Sequence, residues 1–371
     1  MKIVIVGEYS GFSKNLSFGF RALGHECLVF SWGDVFKKIE PDESTYLIKV
    51  GRINMFGKSI KKTGWINNIL SGIKLNSFVK EHFKTKKADV VIVMNMAFLK
   101  ERSNMFVPKF SNEMLLKMCK NPERIYLSSC GNDYIVNRYL PLCKRPNEYL
   151  MFKHFKKLNK QKRMFEKHIG CMNRIIPIAH DYYMAYKYYE KEYNYHVYPV
   201  IPLPFAVNTV SSENEVREKI VIMHGVSRPF EKGSYIIISA LERISEDFPD
   251  EVDIRIVRNL PLKEYLKVVH DANVIVDQCY GLSNGMNTIE SLSMGKVVLS
   301  GNIKEYHKAY TDLDCPVLNI EPNSEHIYNT LKELITNRGF IKELSTKSRA
   351  FAETIHDSKV VAQKYLELFG L

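Results

Sequence analysis

The residue types best suited to binding an anionic ligand lie in residues 277–296, where a strand signal is followed by a loop and a helix signal. The loop contains Gly281 and Gly285, and the helix begins near Met286. Such a loop brings backbone N–H groups and the positive end of a helix to one point, which suits a diphosphate. Glu290 follows and could accept hydrogen bonds from two ribose hydroxyls; an ordinary loop with an exposed Glu290 fits the pattern equally well. The candidate ligand-binding residues here are Ser283, Gly285, Met286, Asn287 and Glu290.

Two cations form a second candidate cluster, after the strand signal over residues 219–224. Arg228 and Lys232 follow this strand, and Gly233 comes next. Ligands bind at the carboxyl ends of strands in open α/β sheets, and two cations beside a helix start could neutralise a leaving pyrophosphate. Solvated loop cations are the commoner explanation of one Arg and one Lys, but their place at a strand end favours a ligand.

The first half of the chain offers two weaker candidates. A glycine turn over residues 7–11 follows the first strand signal and ends at Gly11, although a tight turn alone also requires glycine. Asp133 follows the strand signal over residues 124–129. It could orient a hydroxyl group of a substrate, or it could be a turn residue that hydrogen-bonds to its own backbone.

Strand signals that alternate with helix signals position these candidates. The alternation predicts an α/β fold with parallel sheets covered on both faces. Three prolines within residues 199–204 and the polar residues 208–215 resemble a linker. We therefore predict two domains, residues 1–205 and 216–355, and a last amphipathic helix over residues 358–371 that could belong to either. The predicted strands cover residues 2–6, 27–31, 46–50, 89–94, 124–129, 174–179, 219–224, 252–257, 273–277 and 296–300.

The composition of the 371 residues excludes several classes of protein. Hydrophobic residues make up 45% and charged residues 25%, as in globular rather than disordered chains. No apolar run reaches the roughly 18 residues of a membrane-spanning helix, and the first one is too short for a signal peptide. Seven cysteines without a Cys-x-x-Cys pair argue against disulfides and structural zinc. These features predict a cytoplasmic protein without structural zinc. No cofactor is expected, and if Arg228 and Lys232 neutralise a leaving phosphate, a metal is unnecessary.

The net charge of +12 is carried by the first half of the chain. Residues 1–210 contain 34 Lys and Arg against 17 Asp and Glu, a net charge of +17, whereas residues 211–371 contain 19 against 24, a net charge of −5. The first half should therefore meet an anionic partner. RNA is disfavoured as that partner because no RNA-binding motif accompanies the charge.

One segment of the first half, residues 152–167, combines dense positive charge with apolar residues at helical intervals. As a helix on a membrane surface, it would insert its aromatic residues while its cations met lipid phosphates. A core-packed amphipathic helix with a solvated basic face is at least as compatible with the pattern. The candidate contacts to an anionic membrane or acceptor are Lys153, Lys156, Lys157 and Lys160.

Taken together, the two clusters of the second half resemble the donor-binding domain of GT-B glycosyltransferases of the family 4 type. Residues 232–233 resemble the basic K-G loop after the first strand, and Glu290 with residues 295–298 resembles the second half of the family's E-x7-E segment. Leu282 replaces the first Glu of that segment, so the contact of this Glu to the donor sugar is absent or replaced. Family members with a Y-G-M loop, similar to residues 284–286, share this departure.

The resemblance implies two Rossmann-like doubly wound domains that face a central cleft, with the helix over residues 358–371 crossing back to the first domain. It implies a retaining, metal-independent transfer of a sugar from a nucleotide-diphosphate-sugar to a glycan or polyprenyl-diphosphate-linked acceptor, in cell-surface polysaccharide synthesis at the inner face of the membrane. Arg228, Lys232 and Asp133 would be catalytic, and Gly11 would lie beneath the donor phosphate. The alternatives are a nucleotide-sugar epimerase of the same fold and a non-catalytic protein that binds membranes or nucleic acids.

Overall fold

The computed structural model forms two α/β units. The described residues are 1–31, 45–47, 54–55, 58–59, 64–100, 109–155, 157–258, 260 and 262–371. Within them, the helices and strands of the first unit are β1 (Lys2–Val6), α1 (Phe12–Ala22), β2 (Glu26–Ser31), β3 (Thr45–Leu47), β4 (Asn54–Met55), β5 (Lys58–Ser59), α2 (Gly64–His82), β6 (Val90–Val93), α3 (Asn112–Met118), β7 (Ile125–Ser129), α4 (Tyr134–Tyr139), α5 (Glu148–Phe155), α6 (Leu158–Ile169), β8 (Arg174–Pro177), α7 (His180–Tyr193) and β9 (His196–Val197). Those that follow are β10 (Ile220–Val226), α8 (Pro229–Lys232), α9 (Ser234–Asp247), β11 (Val252–Arg258), α10 (Leu262–Asp271), β12 (Val274–Val276), α11 (Met286–Ser293), β13 (Val297–Ser300), α12 (Lys304–His307), β14 (Leu318–Asn319), α13 (Ser324–Thr336), α14 (Arg338–Phe351) and α15 (Ser358–Leu368).

A parallel sheet lies at the centre of each unit. Among the described residues, the first sheet has the strand order β3-β2-β1-β6-β7-β8-β9, and the second has the order β11-β10-β12-β13-β14. The strands β1, β6, β12 and β13 are buried along their whole length, as expected for strands that helices cover on both faces. The predicted α/β fold with parallel sheets is confirmed.

The observed strands differ from the predicted ones mainly at the sheet edges. Each predicted strand is present where its residues are described, with its ends shifted by a few positions. The edge strands β9 and β14 and the paired strands β4 and β5 were not predicted; each is two residues long, too short to carry a detectable alternation of apolar and polar residues. Residues 48–50 of the predicted third strand lie outside the described residues.

The last helix, α15, packs against α1 of the first unit. Gly19 permits this close approach, because a Cβ atom at this position would lie 1.9 Å from the carbonyl oxygen of Ser358. The rings of Phe20 and Tyr365 meet edge to face, with their centroids 6.1 Å apart. The end of the chain therefore contributes to the core of the unit that the beginning of the chain forms.

The proline-containing part of the predicted linker is packed into the protein, whereas its polar part, residues 208–215, is largely exposed. Leu203 and Phe205 are buried, and the backbone of Phe205 forms a parallel bridge with Asp357. His356 Nδ1 donates a hydrogen bond to the carbonyl oxygen of Leu203 at 2.8 Å. Burial lowers the pKa of His356 to about 4, so its ring is neutral at physiological pH. The chain thus passes between the units twice, and the two crossings are bonded to each other.

Metal-ligating side chains are dispersed over the fold. All seven cysteines are free thiols. Within the described part of the chain, no group of three or more His, Cys, Asp or Glu side chains is placed to hold a metal ion. The same part of the chain contains no helix that is both long enough and apolar enough to cross a bilayer.

Candidate functional site

A buried ion pair joins the two candidate clusters of the second unit. Lys232 Nζ lies 2.7 Å from Oδ1 of Asp277 and 3.4 Å from the carbonyl oxygen of Gly225, and both charged side chains are buried. Burial acts to raise the pKa of Asp277, but the charge of Lys232 and the hydrogen bonds to the carboxylate hold this pKa below its ordinary value. The carboxylate is therefore ionised and fixes Lys232 at the end of α8.

Asp277 also fixes the first turn of α11. Its Oδ1 accepts a hydrogen bond from Asn287 Nδ2 at 3.0 Å, and its Oδ2 accepts one from Thr288 Oγ1 at 3.0 Å. Asn287 Oδ1 in turn accepts from the hydroxyl of Tyr265 at 2.5 Å. The candidates Lys232 and Asn287 thus share one acceptor. The sequence analysis assigned no role to Asp277, although its position directly after a buried strand could have marked it as a site residue.

The N-terminus of α11 receives no cap from the residue that precedes it. Gly285 adopts an extended conformation and makes no side-chain cap, and the Asp277 carboxylate that lies against the first turn is paired with Lys232. Glu290 exposes only 9% of its surface, which excludes the alternative of an exposed side chain. The structure therefore places the candidates Gly285, Met286, Asn287 and Glu290 around one helix end.

The helix after Gly11 differs, because a carboxylate already occupies its N-terminus. Glu8 is buried and accepts hydrogen bonds from the backbone N–H groups of Ser13 at 3.3 Å and Lys14 at 2.9 Å. Gly11 adopts a left-handed conformation with a φ of 86°, which favours glycine. A phosphate at this helix end would lie against the carboxylate of Glu8, so the geometry favours the tight-turn interpretation of Gly11 over phosphate binding.

Arg228 lies where the second unit faces the first. It is exposed at the start of α8. Burial, followed by the charge of Glu8, raises the pKa of the Cys130 thiol to about 12, and the charge of Arg228 opposes this rise. The charge of Arg228 also opposes the rise that burial causes in the pKa of the Tyr182 hydroxyl. Since Cys130 and Tyr182 belong to the first unit, the charge of Arg228 acts on groups of that unit.

Asp133 is engaged within the first unit. The side chain is buried; its Oδ1 accepts from the N–H of Val136 at 3.0 Å and caps α4. Its Oδ2 accepts from the hydroxyl of Tyr186 at 2.5 Å. Burial raises the pKa of Asp133 to about 6, against the effect of these hydrogen bonds. Of the two roles that the sequence left open for Asp133, the geometry favours a residue that hydrogen-bonds within its own unit over one that binds the acceptor.

The basic segment forms two helices, α5 and α6, and not one continuous helix. Lys153 Nζ lies 2.8 Å from Oε1 of Glu231 in α8, so Lys153 bridges the two units. Lys157 and Lys160 are exposed. Lys156 lies outside the described residues.

Further contacts between the units surround the loop before α11. Ser283 Oγ donates to Asp181 Oδ1 of the first unit at 2.8 Å, so this candidate faces the opposite unit. Arg145, which sequence reading did not assign, donates to the carbonyl oxygens of Cys279 and Gly281 in the same loop. The partners are far apart in the chain, so no local sequence pattern could have revealed these contacts.

Comparisons with known proteins identify the fold. No protein-family model and no curated protein matches the chain. Among solved structures, it is similar to HepE from Anabaena in complex with UDP-glucose, with a TM-score of 0.58, 12% identity, and coverage of 100% of this chain and 99% of HepE. It is similar to WaaG, a glycosyltransferase involved in lipopolysaccharide biosynthesis, with a TM-score of 0.55, 12% identity and coverage of 99% of both chains. It is also similar to a putative UDP-N-acetylglucosamine 2-epimerase from Listeria monocytogenes, with a TM-score of 0.50, 10% identity, and coverage of 99% and 95%. The chain has the GT-B fold that its motifs predicted.

Replacing Asp133 should reveal its raised pKa as a pH-dependent stability difference. Because the pKa is about 6 in the folded protein against an ordinary 3.8, the folded state binds the proton more tightly, and the wild type gains stability as the pH falls between these values. We expect Asp133→Asn to be more stable than the wild type at pH 8, by up to about 3 kcal/mol, and this advantage to vanish near pH 4. Urea unfolding across this range measures it. A constant difference, like that expected for exposed Asp250→Asn, would contradict the buried, protonatable Asp133.

Removing Lys232 should destabilise the second unit because it leaves the buried Asp277 carboxylate without its cation. We expect Lys232→Met to lower the free energy of unfolding by about 3–5 kcal/mol. The double variant Lys232→Met/Asp277→Asn should recover at least half of the loss, while exposed Lys267→Met should have little effect. Urea unfolding at neutral pH is the measurement. Equal stabilities of Lys232→Met and Lys267→Met would show that the pair contributes little.

Proposed function

We propose that this GT-B chain is a glycosyltransferase that moves a sugar from a nucleotide-diphosphate-sugar to a sugar acceptor. The uncapped N-terminus of α11 carries the proposal, because its backbone N–H groups and positive potential suit a diphosphate. Glu290, buried one turn further, is suited to accept hydrogen bonds from ribose hydroxyls. HepE, which shares the fold, was crystallised with UDP-glucose.

Arg228 and Lys232 would stabilise the negative charge that develops on the leaving diphosphate. One donor aimed at such a charge can contribute about 3 kcal/mol to transition-state stabilisation. An ammonium group has three N–H donors; Lys232 directs two of them at Asp277 and Gly225, which leaves one for a phosphate oxygen. We expect the exposed Arg228, which precedes α8, to contact the same group. These cations would supply the charge that a metal ion supplies in other enzymes, and the family resemblance implies a retaining reaction.

Nucleotide release from a panel of nucleotide sugars, measured with and without candidate acceptors, tests the activity. In Glu290→Gln the ribose would lose a charge-assisted hydrogen-bond acceptor, so we expect kcat/KM to fall about ten- to a hundredfold. Glu333→Gln is the matched control, since Glu333 is exposed on α13. A wild-type rate in Glu290→Gln would contradict the proposed donor site.

An epimerase is the alternative within the same fold, because the putative 2-epimerase shares the fold at a TM-score of 0.50. The two activities differ in their need for an acceptor. A transferase releases nucleotide when a sugar acceptor is supplied, whereas an epimerase interconverts two nucleotide sugars without any acceptor. Chromatography of the nucleotide-sugar pool after incubation without acceptor separates the two functions.

We further propose that the acceptor is a glycan or a polyprenyl-diphosphate-linked sugar in cell-surface polysaccharide synthesis, reached at an anionic membrane. Phe152 and Phe155 on α5 are 74% and 79% exposed, and Lys157 and Lys160 are exposed after them. Aromatic side chains that insert beside cations that contact lipid phosphates bind an anionic membrane surface. WaaG, of the same fold, is involved in lipopolysaccharide biosynthesis, which agrees with an acceptor of this class.

Flotation with vesicles tests the membrane surface. We expect the wild type to float with phosphatidylglycerol vesicles at physiological salt and not with phosphatidylcholine vesicles. Phe152→Ser/Phe155→Ser should lose at least tenfold in partitioning, because two aromatic anchors are removed. Leu313→Ser, which alters an exposed apolar residue of the second unit, serves as the control. If the double variant floats as well as the wild type, or if the wild type does not float with anionic vesicles, this membrane-binding surface is ruled out.

A further inference from the structure

Arg145 crosses from the first unit into the second. Its Nη1 lies 3.0 Å from the carbonyl oxygen of Ile320, 3.4 Å from that of Gly281 and 3.5 Å from that of Cys279. Its Nη2 lies 3.2 Å from Oε1 of Glu321. The Arg145 side chain is only 11% exposed. A guanidinium therefore ties two separate loops of the second unit to the first.

The loop that Arg145 contacts leads directly into the N-terminus of α11. Within the second unit this loop is held by a bond from the N–H of Gly301 to the carbonyl oxygen of Gln278 at 2.8 Å and by Gln278 Nε2 to the carbonyl oxygen of Ser283 at 3.0 Å. The first unit holds it at two further points, through Arg145 and through the bond from Ser283 to Asp181. The second unit also holds the loop through the N–H of Cys279 to the carbonyl oxygen of Lys232, the N–H of Ile303 to the carbonyl oxygen of Leu282 and Asn284 Nδ2 to Asn302 Oδ1. The opposite unit therefore adds two side-chain anchors to a loop that its own unit holds mainly through the backbone.

We infer that Arg145 is a positioning residue of the donor site, supplied by the opposite unit: it orders residues 278–285, so that approach of the units and formation of the donor site are one coupled event. This inference rests on the proposed function for the identity of the ligand. If a loop is already ordered before the ligand binds, the binding free energy does not have to offset the entropy lost when the loop becomes ordered. Loss of Arg145 should therefore weaken donor binding more than it slows the reaction of bound donor.

The chemistry of the Arg145 side chain favours this positioning role over a general contribution to the contact between the units. The planar fork of Arg presents several donors in fixed directions and can serve three carbonyl oxygens and a carboxylate, whereas Lys presents a compact charge. The neighbouring Lys144 also bridges the units, to Glu305 at 2.5 Å, but that pair is 65% and 55% exposed. Exposed pairs contribute little, and Lys144 makes no contact with residues 278–285 among the bonds of the described residues.

Hydrogen exchange and kinetics on the full chain test the inference with three variants. In Arg145→Met, the amides of residues 278–285 should exchange at least tenfold faster than in the wild type without any ligand. The donor KM should rise about tenfold while kcat stays within twofold. Arg145→Lys should fall between these values, because it keeps the charge without the fork. Lys144→Met should match the wild type in both measurements.

The outcomes separate failure of this inference from failure of the proposed function. If no nucleotide sugar is turned over by the wild type while Arg145→Met still accelerates exchange in residues 278–285, the proposed function fails and the positioning role stands. If the wild type is active but Arg145→Met exchanges and binds donor like Lys144→Met, the inference is wrong. A lower kcat with an unchanged donor KM in Arg145→Met would also overturn the inference, because Arg145 would then act in the reaction step itself.

Discussion

The buried pair of Lys232 and Asp277 is the interaction on which the geometry of the second unit depends. Removing two charges from water costs several kcal/mol for each, and the cost is offset only because Asp277 also receives hydrogen bonds from Asn287 and Thr288. The residue after Lys232 contributes to the same arrangement: Gly233 has a φ of 74°, and a Cβ there would lie 2.3 Å from Sγ of Cys279. Charge and steric fit together give α8 and α11 one relative position.

The N-termini of α1 and α11 differ in the groups that bond to them. The backbone N–H groups at the end of α1 donate to the carboxylate of Glu8, while the residue before α11 supplies no side-chain cap. Asp277 bonds to side chains of the first turn of α11, but its charge is paired with that of Lys232, so this end remains the candidate anion site. The excess positive charge of the chain lies in the first unit, so overall charge and the local anion site are on different sides of the cleft.

Local patterns predicted what depends on neighbouring residues and missed what depends on tertiary contacts. Buried strands such as β1 and β6 were predictable because a continuous apolar run is itself the signal. The position of Glu290 near the start of α11 was predictable because loop, helix start and carboxylate are adjacent in the chain. The partner of Lys232 and the acceptors of Arg145 were not, because they lie 45 and more residues away. The sequence left the role of Asp133 open, and its cap of α4 together with its bond to Tyr186 favours the structural role.

The packing of α15 on α1 sets an order of assembly during synthesis. The first unit leaves the ribosome first, yet the α1 surface around Gly19 stays uncovered until Ser358–Leu368 has been made. The second unit, whose strands lie between these segments, can complete its sheet earlier. Domains that emerge first usually fold first; here the half of the protein that is translated first is the half that is completed last.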